Sequence, residues 1–133
     1  MIKLIVGLKG TGKTKTLISE ANAAASGDHG EAICVEKGRK LIYDISHKVR
    51  LISSEEYDIN TYDRFFGFLC GMLSANYDIS DIFIDSITKI CGTDLNALEA
   101  FLAEVSNIVR NANITITVSC AAEDLPEGLK QYL

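Results

Sequence analysis

Tryptophan is absent and proline occurs once, at Pro126. With one proline the chain has no extended proline-rich recognition segment or linker. Basic residues are in the minority, 13 Lys+Arg against 18 Asp+Glu, for a formal net charge of -5. The isolated monomer therefore offers no broad basic face to a phosphate backbone, and nucleic-acid binding by the monomer is disfavoured. No stretch reaches the roughly 18 apolar residues of a membrane-spanning helix. Met1–Val6 runs straight into a glycine loop, where a secretory leader would continue apolar to a cleavage site, so the expectation is a cytoplasmic protein without membrane insertion. Cys34, Cys70, Cys91 and Cys120 form no Cys-x-x-Cys pair and have no histidine at metal spacing. Buried free thiols are expected in place of a disulfide or zinc site. His29 and His47 stand alone in polar stretches, which predicts surface loops for both.

What is present is the composition of an ordinary folded domain, 47% hydrophobic and 23% charged. A chain of 133 residues builds one core, with a radius of gyration of about 14 Å, and the reading is a single domain over 1–133. Short apolar runs at Ile2–Val6, Ala32–Val35, Ile82–Ile84 and Ile114–Val118 alternate with helix-period segments. That alternation predicts an α/β fold, a three-layer α/β/α sandwich with a mainly parallel sheet. The last run interleaves Thr115 and Thr117 with its aliphatics, which places it nearer a sheet edge.

Helical stripes cover Lys13–Ala25 (Leu17, Ile18, Ala21), Tyr62–Ala75 (Phe65, Phe68, Leu69, Met72, Leu73) and a segment capped by Thr93 or Asp94 that continues through Leu98, Phe101, Leu102, Val105 and Val109. Gly67 and Gly71 form a small-residue strip on another face of the second helix. Leu41–Ile45 and Val49–Ile52 read as short strands around a His47-Lys48 turn. Pro126 suits the first turn of a terminal helix capped by Asp124.

Directly after the first run stands Gly7-Leu8-Lys9-Gly10-Thr11-Gly12-Lys13-Thr14, a full match to G-x-x-x-x-G-K-[ST] with a strand before it and a helix after it. The glycines allow positive φ and bring backbone N–H groups against phosphate oxygens, and the helix directs its positive dipole end at the same anion. Gly7, Lys9, Gly10, Thr11, Gly12, Lys13, Thr14 and Lys15 are the candidate nucleotide-binding residues. Lys13 is the phosphate cation and Thr14 the first magnesium ligand. Lys9 is expected to be a solvated loop cation, and Lys15 to contribute mainly through its backbone.

A second magnesium anchor is expected at the C-terminal end of an apolar strand, and Asp81-Ile82-Phe83-Ile84-Asp85-Ser86 offers two carboxylates. They lie about 13 Å apart along an extended strand. Ligands in open α/β sheets sit at the strand C-termini, which selects Asp85 for the metal and leaves Asp81 a structural role.

These two elements, Gly7–Thr14 and the run ending Ile84-Asp85-Ser86, resemble the ATPase core of RecA-like P-loop proteins, the recombinase and circadian-clock group. The resemblance implies ATP and Mg²⁺ as ligands and a catalytic glutamate just beyond the strand that follows the P-loop helix, where Glu36 stands. Glu36 and Lys13 are thus the candidate catalytic residues. The chain also resembles small proteins labelled as twitching-motility ATPases, without the acidic and histidine boxes of retraction motors. No Glu follows Asp85, and Arg39, Arg50, Arg64 and Arg110 have no finger-like context. The leading expectation is a slow Mg-ATPase or ATP-driven switch, activated by self-assembly or by a protein partner supplying an Arg or Lys in trans. A small-molecule kinase and a non-hydrolysing nucleotide-binding module are the alternatives.

Overall fold

The four apolar runs all become strands, and every strand pairing is parallel. The computed structural model describes residues 1–27 and 30–133; His29 lies outside the described residues. Along the chain run β1 (Ile2–Gly7), α1 (Lys13–Ala25), β2 (Glu31–Glu36), β3 (Arg50–Ser53), α2 (Tyr62–Ala75), β4 (Ile79–Ile84), α3 (Ile87–Cys91), α4 (Leu95–Val105), β5 (Asn113–Ser119) and α5 (Glu127–Lys130). The five strands form one sheet in the order β1-β5-β4-β2-β3.

Strand periodicity divides the core between the two faces. Ala32, Cys34 and Phe83 meet Leu17 and Ala21 of α1 on one face. Ile33, Val35, Ile82, Ile84 and Ile116 belong to the larger cluster with Phe65 and Leu69 of α2 and with Leu98, Phe101 and Leu102 of α4. Helices thus cover both faces, consistent with a three-layer sandwich. Thr61 caps α2 by accepting from Arg64 N at 3.1 Å. Asp94, one of the two expected caps, starts α4 by accepting from Asn96 N and Ala97 N.

Four expectations need correction. β5 lies inside the sheet, paired with β1 on one side and β4 on the other. Its threonines are buried, Thr117 at 0% exposure, because its polar face meets the end of β4 and not solvent. Leu41–Ile45 is a turn, in which Asp44 N and Ile45 N both donate to Leu41 O at 3.0 Å. The turn buries Leu41 and Ile45 and leaves Tyr43 95% exposed, whereas a strand would put all three side chains on one face. The one strand of this region is β3, and His47 is exposed in a turn before it. Asp124 ends a short 3₁₀ turn, and the capping position of α5 is Pro126 itself. The four thiols are free as expected, but only Cys34 is buried; the other three are half-buried.

The two sheet edges differ. β1 is met on its outer side by the C-terminal segment, where Leu4 N donates to Tyr132 O at 2.8 Å. β3 has no strand beyond it among the described residues.

Candidate functional site

The loop between β1 and α1 needs its glycines for distinct reasons. Gly10 and Gly12 adopt φ of 84° and 88°, left-handed values that a side chain strains against. Gly7 is a matter of space, since a Cβ there would stand 2.5 Å from Thr11 Oγ1. Thr11 closes the turn, its Oγ1 donating to Leu8 O at 2.7 Å. Gly12 then leads directly into α1, whose first turn carries no acidic residue. The helix N-terminus is therefore an unopposed positive end with free N–H groups.

Lys13 is folded inward, only 8% exposed, with Nζ donating to Leu8 O at 2.9 Å. An ammonium buried against one carbonyl keeps two further N–H bonds available for an anion. Lys9 and Lys15 are exposed, and neither side chain bonds to a described residue.

Register brings the other site residues to the same end of the sheet. Val35 pairs with Ile84, and Ile84 with Ile116, so Glu36, Asp85 and Thr117 follow in one row at the strand C-termini. Asp85 N donates to Val35 O at 2.9 Å, which fixes the first residue past β4. The Asp85 carboxylate then faces the loop, and Thr14 Oγ1 donates to its Oδ1 at 3.0 Å. Asp81, paired in register with Ala32 and Asn113, lies toward the opposite end of β4 and accepts from Ser80 Oγ at 2.8 Å. Of the two carboxylates, Asp85 is therefore the one beside Thr14.

Thr117 is the site residue that the sequence reading missed. Its Oγ1 accepts from Ser86 N at 2.7 Å and donates to Asp85 Oδ1 at 2.9 Å. Ser86 holds a left-handed backbone, φ 56° and ψ 59°, an unfavourable conformation for a residue with a side chain. The Thr117 hydroxyl thus satisfies the amide of a strained residue and orients the carboxylate before it. Only the Thr115/Thr117 alternation hinted at a polar role, and without the pairing register it read as an edge signal.

Glu36 sits beside Asp85 but is already engaged. It is 4% exposed, with Oε1 accepting from Lys40 N at 2.9 Å and Oε2 from Leu41 N at 3.1 Å. Burial raises its pKa and the Asp85 charge adds to the rise, while the amides of Leu41 and Lys40 oppose it. As described, this carboxylate anchors the turn that starts at Lys37. Segment 119–124 flanks the loop from the other side, with Cys120 N donating to Gly7 O at 3.2 Å. Burial and the Asp124 charge raise the Cys120 pKa, and Lys13 lowers it.

The arginines are elsewhere. Arg39 pairs with Glu56 and Arg50 with Glu31, while Arg64 donates to Asp58 O at 2.9 Å. Among the described residues none bonds to the Gly7–Thr14 loop. Among the described residues no group of three or more His, Cys, Asp or Glu gathers to hold a metal. Thr14 and Asp85 nevertheless fit magnesium: both present hard oxygens, and two neighbouring ligands of an octahedral ion at 2.0–2.1 Å stand about 3 Å apart, as these two atoms do. Comparison of the chain with protein-family models and with curated proteins finds no match.

Proposed function

We propose that this chain is a P-loop nucleotide-binding protein of the RecA-like kind that takes Mg-ATP on Gly7–Thr14. The observation that carries the reading is the Thr14–Asp85 contact at 3.0 Å. It sets a hydroxyl and a carboxylate side by side beneath a glycine loop with left-handed turns and a helix N-terminus. A chance glycine turn has no reason to face an acidic strand end.

In this reading the backbone N–H groups of the loop and of the first turn of α1 cradle the phosphates, and the Lys13 ammonium leaves Leu8 O for the β- and γ-phosphates. Thr14 and Asp85 hold Mg²⁺, which when bound neutralises charge on the triphosphate. Thr117 keeps Asp85 pointed at that position. Glu36 is the water-orienting candidate, and it must share its lone pairs with two backbone amides to do so. Among the described residues no arginine bonds to the Gly7–Thr14 loop, so in this reading turnover by the monomer is slow and rises when a partner or a second copy supplies a cation.

A second reading has its own support in the occupied oxygens of Glu36: a nucleotide-binding module that does not hydrolyse. Titration calorimetry with Mg-ATP, together with single-turnover phosphate release, tests both. Binding with slow release supports the ATPase or switch, binding without release supports the module, and absence of Mg-ATP binding rejects the site altogether.

A further inference from the structure

The segment 37–45 leaves the C-terminal end of β2 and is fastened differently along its length. Its later part is clasped by α1. Asn22 Nδ2 donates to Asp44 O at 3.0 Å and Asn22 Oδ1 accepts from Ser46 N at 2.8 Å, while Leu41 and Ile45 pack in one buried cluster with Leu17 and Ala21. At its start, Lys37 O accepts from Ser53 Oγ at 3.0 Å and from Glu55 N at 3.2 Å. Between these ties the turn depends on Glu36. Lys40 N donates to Oε1 at 2.9 Å and Leu41 N to Oε2 at 3.1 Å, and among the described residues neither amide has a backbone acceptor. The Leu41 bond is buried, so this amide gains another partner only if the turn itself gives.

The carboxylate that holds the turn also stands next to the proposed metal position. Val35 pairs with Ile84, which sets Glu36 and Asp85 on neighbouring strand ends, about 5 Å apart across the sheet. The Asp85 charge repels that of Glu36, and among the described residues the only donors to Glu36 are the amides of Lys40 and Leu41. We propose that Glu36 couples the γ-phosphate of a bound nucleotide to this turn: drawn toward water at that phosphate, it loosens its hold on Lys40 N and Leu41 N, and 38–41 opens. Asp85 no longer opposes the move once its charge is offset by the metal it shares with Thr14. A diphosphate lacks the group that draws Glu36 and leaves the turn held. Gly38, Arg39 and Ile42 also line a groove of about 1060 Å³ between β3 and α2, so one wall of that groove changes with the bound nucleotide.

The coupling rests on Mg-ATP binding at Gly7–Thr14, and backbone amide exchange of the whole chain, read by NMR, separates the two. The free protein is compared with protein carrying magnesium and a β,γ-imido analogue of ATP, and with protein carrying Mg-ADP. Resonance shifts at Gly7–Thr14 report binding. With the analogue, exchange at Lys40 and Leu41 should rise about tenfold, the equivalent of one lost hydrogen bond at each amide, while Ser46, held by Asn22, stays unchanged. With Mg-ADP all three should exchange as in the free protein. Glu36→Gln keeps one accepting oxygen in place of two, so faster exchange should be present without nucleotide and should not increase further with the analogue. Shifts at Gly7–Thr14 without a change at Lys40 and Leu41 overturn the coupling and leave the nucleotide site standing. An equal rise with Mg-ADP, or a rise that persists in Glu36→Gln, overturns it as well. Absence of any shift at Gly7–Thr14 rejects the site and the coupling together.

Discussion

Thr14 and Asp85 are 71 positions apart in the chain, and their side-chain oxygens are 3.0 Å apart in space. One belongs to the first turn of α1 and the other is the first residue past β4, so β1, β5 and β4 must all be in register for the two to meet. The contact makes the glycine loop and the acidic strand a single unit, and the proposed nucleotide site can be tested on each of its parts.

Lys13→Ala should abolish most Mg-ATP binding and leave the fold in place. Leu8 O, which loses the Lys13 Nζ bond, still accepts from Thr11 Oγ1 at 2.7 Å, so the loop keeps its turn. Calorimetry or a labelled nucleotide measures the loss and far-UV circular dichroism the fold; the absence of tryptophan rules out intrinsic indole fluorescence. Equal affinity in both proteins would reject the phosphate site.

Asp85→Asn keeps an oxygen that can accept from Thr14 and Thr117 but removes the charge. The magnesium dependence of nucleotide binding should therefore weaken while stability changes little. Asp81→Asn, at the other end of β4, should leave that dependence unchanged. A reversed pattern in magnesium titrations would mean that the metal is held elsewhere.

Removing the Thr117 hydroxyl separates positioning from packing. Thr117→Val preserves shape but leaves the Ser86 amide without its acceptor, at a cost of about 1–3 kcal/mol, and frees the Asp85 carboxylate to turn. Denaturant unfolding should show the destabilisation and titration a weaker magnesium dependence. Thr117→Ser should recover both, and a Ser variant no better than Val would show that the hydroxyl is idle.

Glu36 gives a pH signature. Its pKa is raised in the folded protein, chiefly by burial, so the folded state holds its proton more tightly than the unfolded chain. The stabilisation it contributes is complete below the unfolded value near 4.5 and is lost as pH rises through the folded value. Glu36→Gln cannot titrate, and it turns an amide donor toward Lys40 N or Leu41 N, an unfavourable contact of about 1–3 kcal/mol. The advantage of wild type over the variant should therefore be largest below the unfolded value and shrink as pH rises above it through the raised folded value, as read by denaturant midpoints. A constant gap would mean that the carboxylate is not perturbed.

Burial lifts the Cys34 thiol to about 12, and Cys34 lies between β2 and α1 with no exposed surface. It should resist thiol reagents in the folded protein and react once the chain is unfolded. Mass spectrometry after timed alkylation would locate the modification. Rapid labelling of Cys34 under native conditions would show that α1 opens readily from the sheet.

Much of this architecture was readable from residues because the local signals were strong. Ile82–Ile84 and Ala32–Val35 are continuous apolar runs, as strands buried on both faces require, and the stripe through Phe65, Leu69 and Met72 marked α2. The loop carried its own spacing. Less legible were features set by long-range register. Nothing near Thr117 says that β4 will lie beside it, so its hydroxyl looked like a solvent-facing group and not a partner for Asp85. The spacing of Leu41 and Ile45 fits a strand and a helical turn equally, and the decision comes from the Glu36 carboxylate gathering the amides of Lys40 and Leu41. Glu36 itself could be located from sequence but not its occupation by those amides.

The strand that leads into the glycine loop pairs with β5 alone. During folding, Ile2–Gly7 must therefore wait for Asn113–Ser119, the last strand of the sheet, before its ladder can close. Until then Gly7 O lacks the Cys120 amide and Leu4 N lacks the Tyr132 carbonyl. A nascent or interrupted chain can form β2, β3 and β4 and still have no anchored loop. Anchoring of the glycine loop is consequently tied to the last strand of the sheet and not to the elements next to it in the chain.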